Sequence, residues 1–230
     1  MDVLVDHASA PGAGNAYELT LVLQSDLARW IESQDASARA WVAATGFKAE
    51  RHQVVLLPSP DGVPRRAALG LGGLLALDAL ELWHVAGLPD RLPPGTHWRV
   101  TNELNHAAAN ALALGWAYGS YRFDTYKSAP QSAAGRARLV APAAVDHAQV
   151  VRLASATTLA RNLVNVPACD MTPERLAAEA ILRTSFDEDY SGAGSLAYGA
   201  SQIGSRLSDV AQLIKLDLGG GDEKTGGSKG

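Results

Sequence analysis

Residues 19–46 read LTLVLQSDLARWIESQDASARAWVAATG, and the change of period inside this stretch decides the fold class. Leu19 to Leu23 is an apolar run short enough for a buried strand. Ser25 and Asp26 follow it, both helix-capping types. Leu27, Trp30, Ile31, Gln34, Ala38, Trp41 and Val42 then recur at helical spacing, Gln34 being the one polar exception, until Gly46, where the helix should close. A strand feeding an amphipathic helix is the building unit of a layered α/β domain.

The neighbouring segments extend that reading. Gln53–Leu57 and Ala67–Leu71 read as two strands around PSPDGVP, whose Asp61-Gly62 marks the turn, so the sheet is mixed. A second helix is expected over Leu74–Ala86, ending at Gly87 and Pro89. Thr96–Thr101 follows the breaker Pro93-Pro94-Gly95 as a strand. Asn105–Tyr121 is rich in alanine and leucine, and its Gly115 and Gly119 suit a helix on which another backbone packs closely. Arg138–Val140 is a short strand. Asp146 caps a long helix to about Val164, and Thr172-Pro173-Glu174 starts another that runs through Arg183.

The composition bounds the function classes. The chain has 230 residues, 47% hydrophobic and 19% charged, with a net charge of −4. Acidic and basic residues are nearly balanced up to residue 184, which disfavours a nucleic-acid partner. No apolar run is long enough for a membrane span, and no secretory signal is visible, which points to the cytoplasm. All 11 prolines and all five tryptophans precede residue 185. Glycine concentrates in the stretch beyond, which is expected to be a divergent, flexible tail. The composition thus separates an informative part, 1–184, from that tail, 185–230.

No catalytic or metal-binding residue stands out. The histidines at 7, 52, 84, 97, 106 and 147 make no pair at helical spacing, and there is no H-E-x-x-H. Ser195 in SGAGSLAYG lacks the second glycine of a nucleophile elbow. Cys169 has no histidine near it in sequence, and Asp187-Glu188-Asp189 reads as a solvated face. Gly70, Gly72 and Gly73, after a strand and before the expected helix, are the candidate ligand-binding residues, because such a turn can hold an anion. They lack the full dinucleotide or P-loop pattern, and a turn requiring positive φ accounts for them equally.

Two strings are more specific: Ala113–Ser128, ALGWAYGSYRFDTYKS, and Ala160–Ala178, ARNLVNVPACDMTPERLAA. Together they resemble the N-terminal part of the leucyl aminopeptidase family, the M17 cytosol aminopeptidases. Gly119, Tyr121, Phe123, Tyr126, Lys127 and Ser128 match the family's helix-borne string. Arg161, Leu163, Val164, Asn165, Pro167, Asp170, Thr172, Pro173, Leu176 and Ala177 match the end of its interdomain helix. Read by themselves, Trp116, Tyr118, Tyr121 and Phe123 are packing residues, and Asn165 satisfies carbonyls at a helix end.

The resemblance implies a macro-domain-like mixed sheet flanked by helices, and homo-oligomer contacts, a hexamer in the family. It also implies that 1–145 is the N-terminal α/β domain, and that 146–184 is an interdomain helix and the start of the catalytic-domain region. It further implies a second, catalytic domain that uses two divalent ions such as manganese or zinc to activate water and release N-terminal residues such as leucine from peptides. That domain's G-K-G-x-x-F-D-T-G-G-like and N-T-D-A-E-G-R-L strings do not occur in this sequence. The expectation is therefore a non-catalytic, truncated scaffold that binds no metal itself. The alternatives are a divergent active aminopeptidase, or a macro-like module holding a nucleotide diphosphate at Gly70–Gly73.

Overall fold

A computed structural model describes residues 4–5, 16–127 and 135–184. Ser128 and the expected tail at 185–230 lie outside the described residues. The chain forms two compact units, Met1–Asn165 and Val166–Gly230. The helix read from the sequence as an interdomain connector thus belongs to the first unit.

The first unit is a six-stranded mixed sheet flanked by helices. Its strands are β1 (Leu4–Val5), β2 (Tyr17–Val22), β3 (Val54–Leu57), β4 (Arg66–Gly70), β5 (His97–Val100) and β6 (Arg138–Val140). Their order is β1-β6-β5-β2-β4-β3, parallel except for β3, which runs against β4 as the Asp61-Gly62 turn foretells. The helices are α1 (Leu27–Glu32), α2 (Ala36–Thr45), α3 (His106–Gly119) and α4 (His147–Asn165).

Alternation along the central strands sorts their side chains onto two cores. Leu19, Leu21, Ala67 and Leu69 face one side with Trp98 and Leu139, against Leu112 and Trp116 of α3 and Val150 and Ala154 of α4. Val22, Ala68, Val55 and Leu57 face the other, against Ala38 and Val42 of α2 and Phe47. Asn102 extends the β2–β5 pairing with its side chain. Its Oδ1 accepts from the Leu21 N–H at 2.7 Å and its Nδ2 donates to the Leu21 carbonyl at 3.0 Å. The edge strand β3 is partly covered by Trp41, whose indole N–H donates to the Leu56 carbonyl at 2.9 Å. No helix among the described residues is long and apolar enough to cross a membrane.

Two expected helices are corrected. The single helix over 27–45 divides at Ser33–Asp35, since Asp35 adopts an extended backbone and its carboxylate accepts from the Ala38 N–H at 2.8 Å. A short acidic side chain that satisfies its own backbone favours a cap over a helix interior. The same carboxylate pairs with Arg66 on β4 at 2.9 Å. The expected helix over Leu74–Ala86 is instead two 3-10 turns, Leu77–Ala79 and Leu82–His84. There the burial of Leu80, Val85, Leu88 and Leu92 in the core overrides local preference.

Asp35 supplies an acid-stability prediction. The Ala38 N–H first, and Arg66 after it, hold its carboxyl below the ordinary aspartate value of 3.8. A carboxylate depressed by folding stabilises above its unfolded pKa, and loses that contribution as pH falls through its folded pKa. The stability advantage of wild type over Asp35→Asn is expected to be constant near neutrality and to shrink below about pH 4. Urea unfolding of both proteins across that range checks it, and a pH-independent difference would reject it.

In the second unit, α5 spans Pro173–Thr184. The Thr172 hydroxyl caps it, accepting from the Arg175 N–H at 3.3 Å, as its sequence suggested.

Candidate functional site

Two of the glycines expected to bind a ligand, Gly70 and Gly72, have a role in the fold. The Gly70 N–H donates to the Gln53 carbonyl at 2.8 Å, the Leu71 N–H to Val22 at 3.0 Å and the Gly72 N–H to Ala49 at 2.8 Å. A Cβ on Gly70 would collide with the backbone of Ala49 and Glu50. Gly72 has φ 62° and lies against Arg51, while Gly73 faces open space. No α-helix begins after them, so the helix N-terminus on which the anion reading depended is missing. Close approach of the 49–51 backbone accounts for Gly70 and Gly72.

The two diagnostic strings, about forty residues apart, converge where α3 ends against α4. Asn105 caps α3, accepting from the Ala108 N–H at 2.8 Å, and the helix buries Leu112, Ala113 and Trp116. Its Gly115 and Gly119 let the Leu82 and Ala86 carbonyls approach closer than any Cβ would permit. Asp146 caps α4, accepting from the Gln149 N–H at 2.9 Å, while its own N–H donates to Asn110 at 2.9 Å. Thr157, Arg161 and Asn165, spaced by four, then form one face of α4 toward the end of α3.

On that face Arg161 is held between two tyrosines. Its guanidinium carbon lies 5.5 Å from the Tyr118 ring centre and 5.2 Å from that of Tyr121, within cation–π range. Nη1 also donates to the Tyr118 carbonyl at 2.9 Å. The Tyr121 hydroxyl donates to Asn162 Oδ1 at 2.9 Å and accepts from Asn165 Nδ2 at 3.0 Å. Thr157 Oγ1 donates to the Tyr118 hydroxyl at 3.1 Å. Asn165 therefore bonds a tyrosine across the joint and not the helix-end carbonyls that its sequence position suggested.

A second tie lies nearby. Asp90 accepts from Arg122 at 2.8 Å and Arg136 at 3.2 Å, and Arg136 also donates to the Gly119 carbonyl at 3.3 Å. The end of α3 is thus gripped from the loop before β5, from the approach to β6 and from α4.

Among the described residues no three His, Cys, Asp or Glu side chains converge to hold a metal ion. Those residues therefore do not fit the two divalent ions implied by the sequence resemblance. Cys169 is exposed.

Comparison with known proteins agrees with this architecture. The sequence model of the M17 aminopeptidase N-terminal domain matches residues 18–142. A probable cytosol aminopeptidase of Nocardia farcinica (strain IFM 10152) is 29% identical over 206 residues, covering 80% of this chain and 40% of that relative. The 1.8 Å crystal structure of the cytosol aminopeptidase from Coxiella burnetii superposes with a TM-score of 0.68 at 24% identity, covering 82% of this chain and 38% of that one. The bottromycin maturation enzyme BotP in complex with Mn superposes with a TM-score of 0.52 at 25% identity, covering 74% and 36% respectively. The chain thus spans well under half the length of the relatives it matches.

Proposed function

The chain belongs to the M17 aminopeptidases through their N-terminal domain, and from that membership we propose that this domain is a non-catalytic scaffold. Its role is to fix where a metal-dependent catalytic half begins and to provide contacts between subunits. The observation that carries this reading is the Arg161 clamp, which ties the last turns of α4 to the same unit as the sheet. A connector held in this way transmits the position of one domain to the next, whereas a free linker would not. Residues 146–184 then serve as the connecting region. Leu153 and Val164, exposed on α4, offer apolar surface for a following domain to bury.

The activity served would be release of N-terminal residues such as leucine from peptides, in a homo-oligomer. The relatives' name, cytosol aminopeptidase, supports a cytoplasmic setting, and the manganese complex of one structural neighbour supports a divalent ion in the catalytic half.

Leucine p-nitroanilide hydrolysis tests the reading, with manganese or zinc added and a chelator as control. The chain alone is expected to show no chelator-sensitive turnover. A fusion of this domain, through α4, to a relative's catalytic half is expected to be active and oligomeric. Chelator-sensitive turnover by the chain alone would overturn the non-catalytic assignment, and a fully active monomeric fusion would overturn the scaffold.

A further inference from the structure

A cavity of about 250 Å³ opens on the first unit away from the α3–α4 joint. Its apolar lining comes from Val54, Leu69 and Leu88, and its polar lining from His52, His84 and Arg91. No carboxylate lines it. A basic cluster without an acid, set beside buried hydrocarbon, matches an amphiphile whose head is anionic.

The polar groups are held in place before any ligand arrives. His52 has φ 65°, a left-handed conformation unfavourable for a residue with a Cβ. Its N–H donates to the Gly70 carbonyl at 3.0 Å, and its own carbonyl accepts from Arg91 Nη1. Strain of this kind persists where the surroundings over-determine it, commonly at binding sites. The bond from Nη1 anchors the Arg91 guanidinium and leaves the rest of its donor fork for a ligand. His84 is 8% exposed and is held by a contact of 3.1 Å between its Nδ1 and the Glu81 N–H. Burial first, then the charge of Arg51 and after it that of Arg91, holds the His52 imidazole below the ordinary histidine value, against a hydrogen bond with the His84 backbone that favours the protonated ring.

We propose that this cavity binds a small aliphatic carboxylate, its anion on the free fork of Arg91 beside the two imidazoles and its hydrocarbon against Val54, Leu69 and Leu88. The volume is below the roughly 300–1,000 Å³ of sites for drug-sized ligands, which limits the occupant to a few heavy atoms or one terminal residue. Two sources share this chemistry: a free short-chain acid, and the C-terminal carboxylate of a peptide ending in an aliphatic residue.

Imidazole NMR signals of His52 and His84, followed in the full chain, provide the test. The probes are 3-methylbutanoate, its uncharged amide, and acetyl-glycyl-leucine. Saturable shifts are expected with at least one of the two carboxylates and not with the amide, and the carboxylate that binds tighter identifies the source. Arg91→Gln is expected to weaken that binding by about tenfold or more, through loss of a charge-assisted contact. Gly87 also lines the cavity, without positive φ, and has no heavy atom within 4 Å of where its Cβ would lie. Gly87→Leu therefore obstructs the cavity without a backbone clash and should abolish the shifts. Shifts that never saturate, equal shifts with the amide, or binding unchanged in folded Arg91→Gln would each overturn the proposal. The amide comparison needs no variant, so a substitution that fails to fold does not remove the test.

Discussion

Gly119→Ala is expected to destabilise the domain by about 2–3 kcal/mol, although the same exchange in an open helix would stabilise it. Helix propensity favours alanine by about 1 kcal/mol. Against this, the new Cβ would lie inside the Ala86 carbonyl, and Gly115 one turn earlier has the same relation to the Leu82 carbonyl. The segment cannot simply back away, because Val85 is fully buried and Leu88 is 2% exposed in the core beneath α3. Steric cost therefore wins over propensity. Urea unfolding checks the sign, with Gly73→Ala as control. Gly73 has open space and no positive φ, so its replacement should be neutral or slightly stabilising. A Gly119→Ala protein as stable as wild type would show that α3 and the 82–86 segment are not packed as closely as described.

That result bears on what a sequence can disclose. The Asp61-Gly62 turn between apolar runs was enough to place the β3–β4 hairpin, because turn chemistry and period are local. Gly46 closing α2 with φ 65°, and the caps at Asp146 and Thr172, were legible for the same reason. The 74–86 segment was not. Its leucines suit a helix locally, and both the core that buries Leu80, Val85 and Leu88 and the glycine face of α3 against which the segment packs come from residues distant in the chain. The packing reason for Gly70 and Gly72 was equally hidden. The spacing suggested an anion turn, while the reason for Gly70 and Gly72 is a backbone, 49–51, brought in by a separate strand. The diagnostic strings at 113–128 and 160–178 were visible as strings, and their meeting through Tyr118, Tyr121 and Arg161 was not, since nothing local pairs a tyrosine with an arginine forty residues on.

Arg161→Met is expected to cost about 2 kcal/mol and to act on one end of α4 more than on the sheet. Methionine keeps an apolar stem of similar length. It loses the charge that sits between two rings and the 2.9 Å bond to the Tyr118 carbonyl. Hydrogen exchange should therefore lose protection over residues 157–165 while Leu19, Leu21 and Leu69 in the central strands keep theirs. Tyr121→Phe separates the two contributions. It keeps the ring under Arg161 and removes the bonds to Asn162 and Asn165. Because Arg161 reaches Tyr121 through the ring face and not the hydroxyl, the two changes should combine nearly additively, within about 0.5 kcal/mol. A strong coupling would mean that the hydroxyl network and the guanidinium form one unit. In a fusion with a catalytic half, Arg161→Met should lower turnover by more than the lost folded fraction explains, because a loosened α4 no longer fixes the position of the domain that follows. If turnover only tracks the folded fraction, the clamp stabilises the domain without directing its neighbour, and the scaffold role would have to rest on subunit contacts instead.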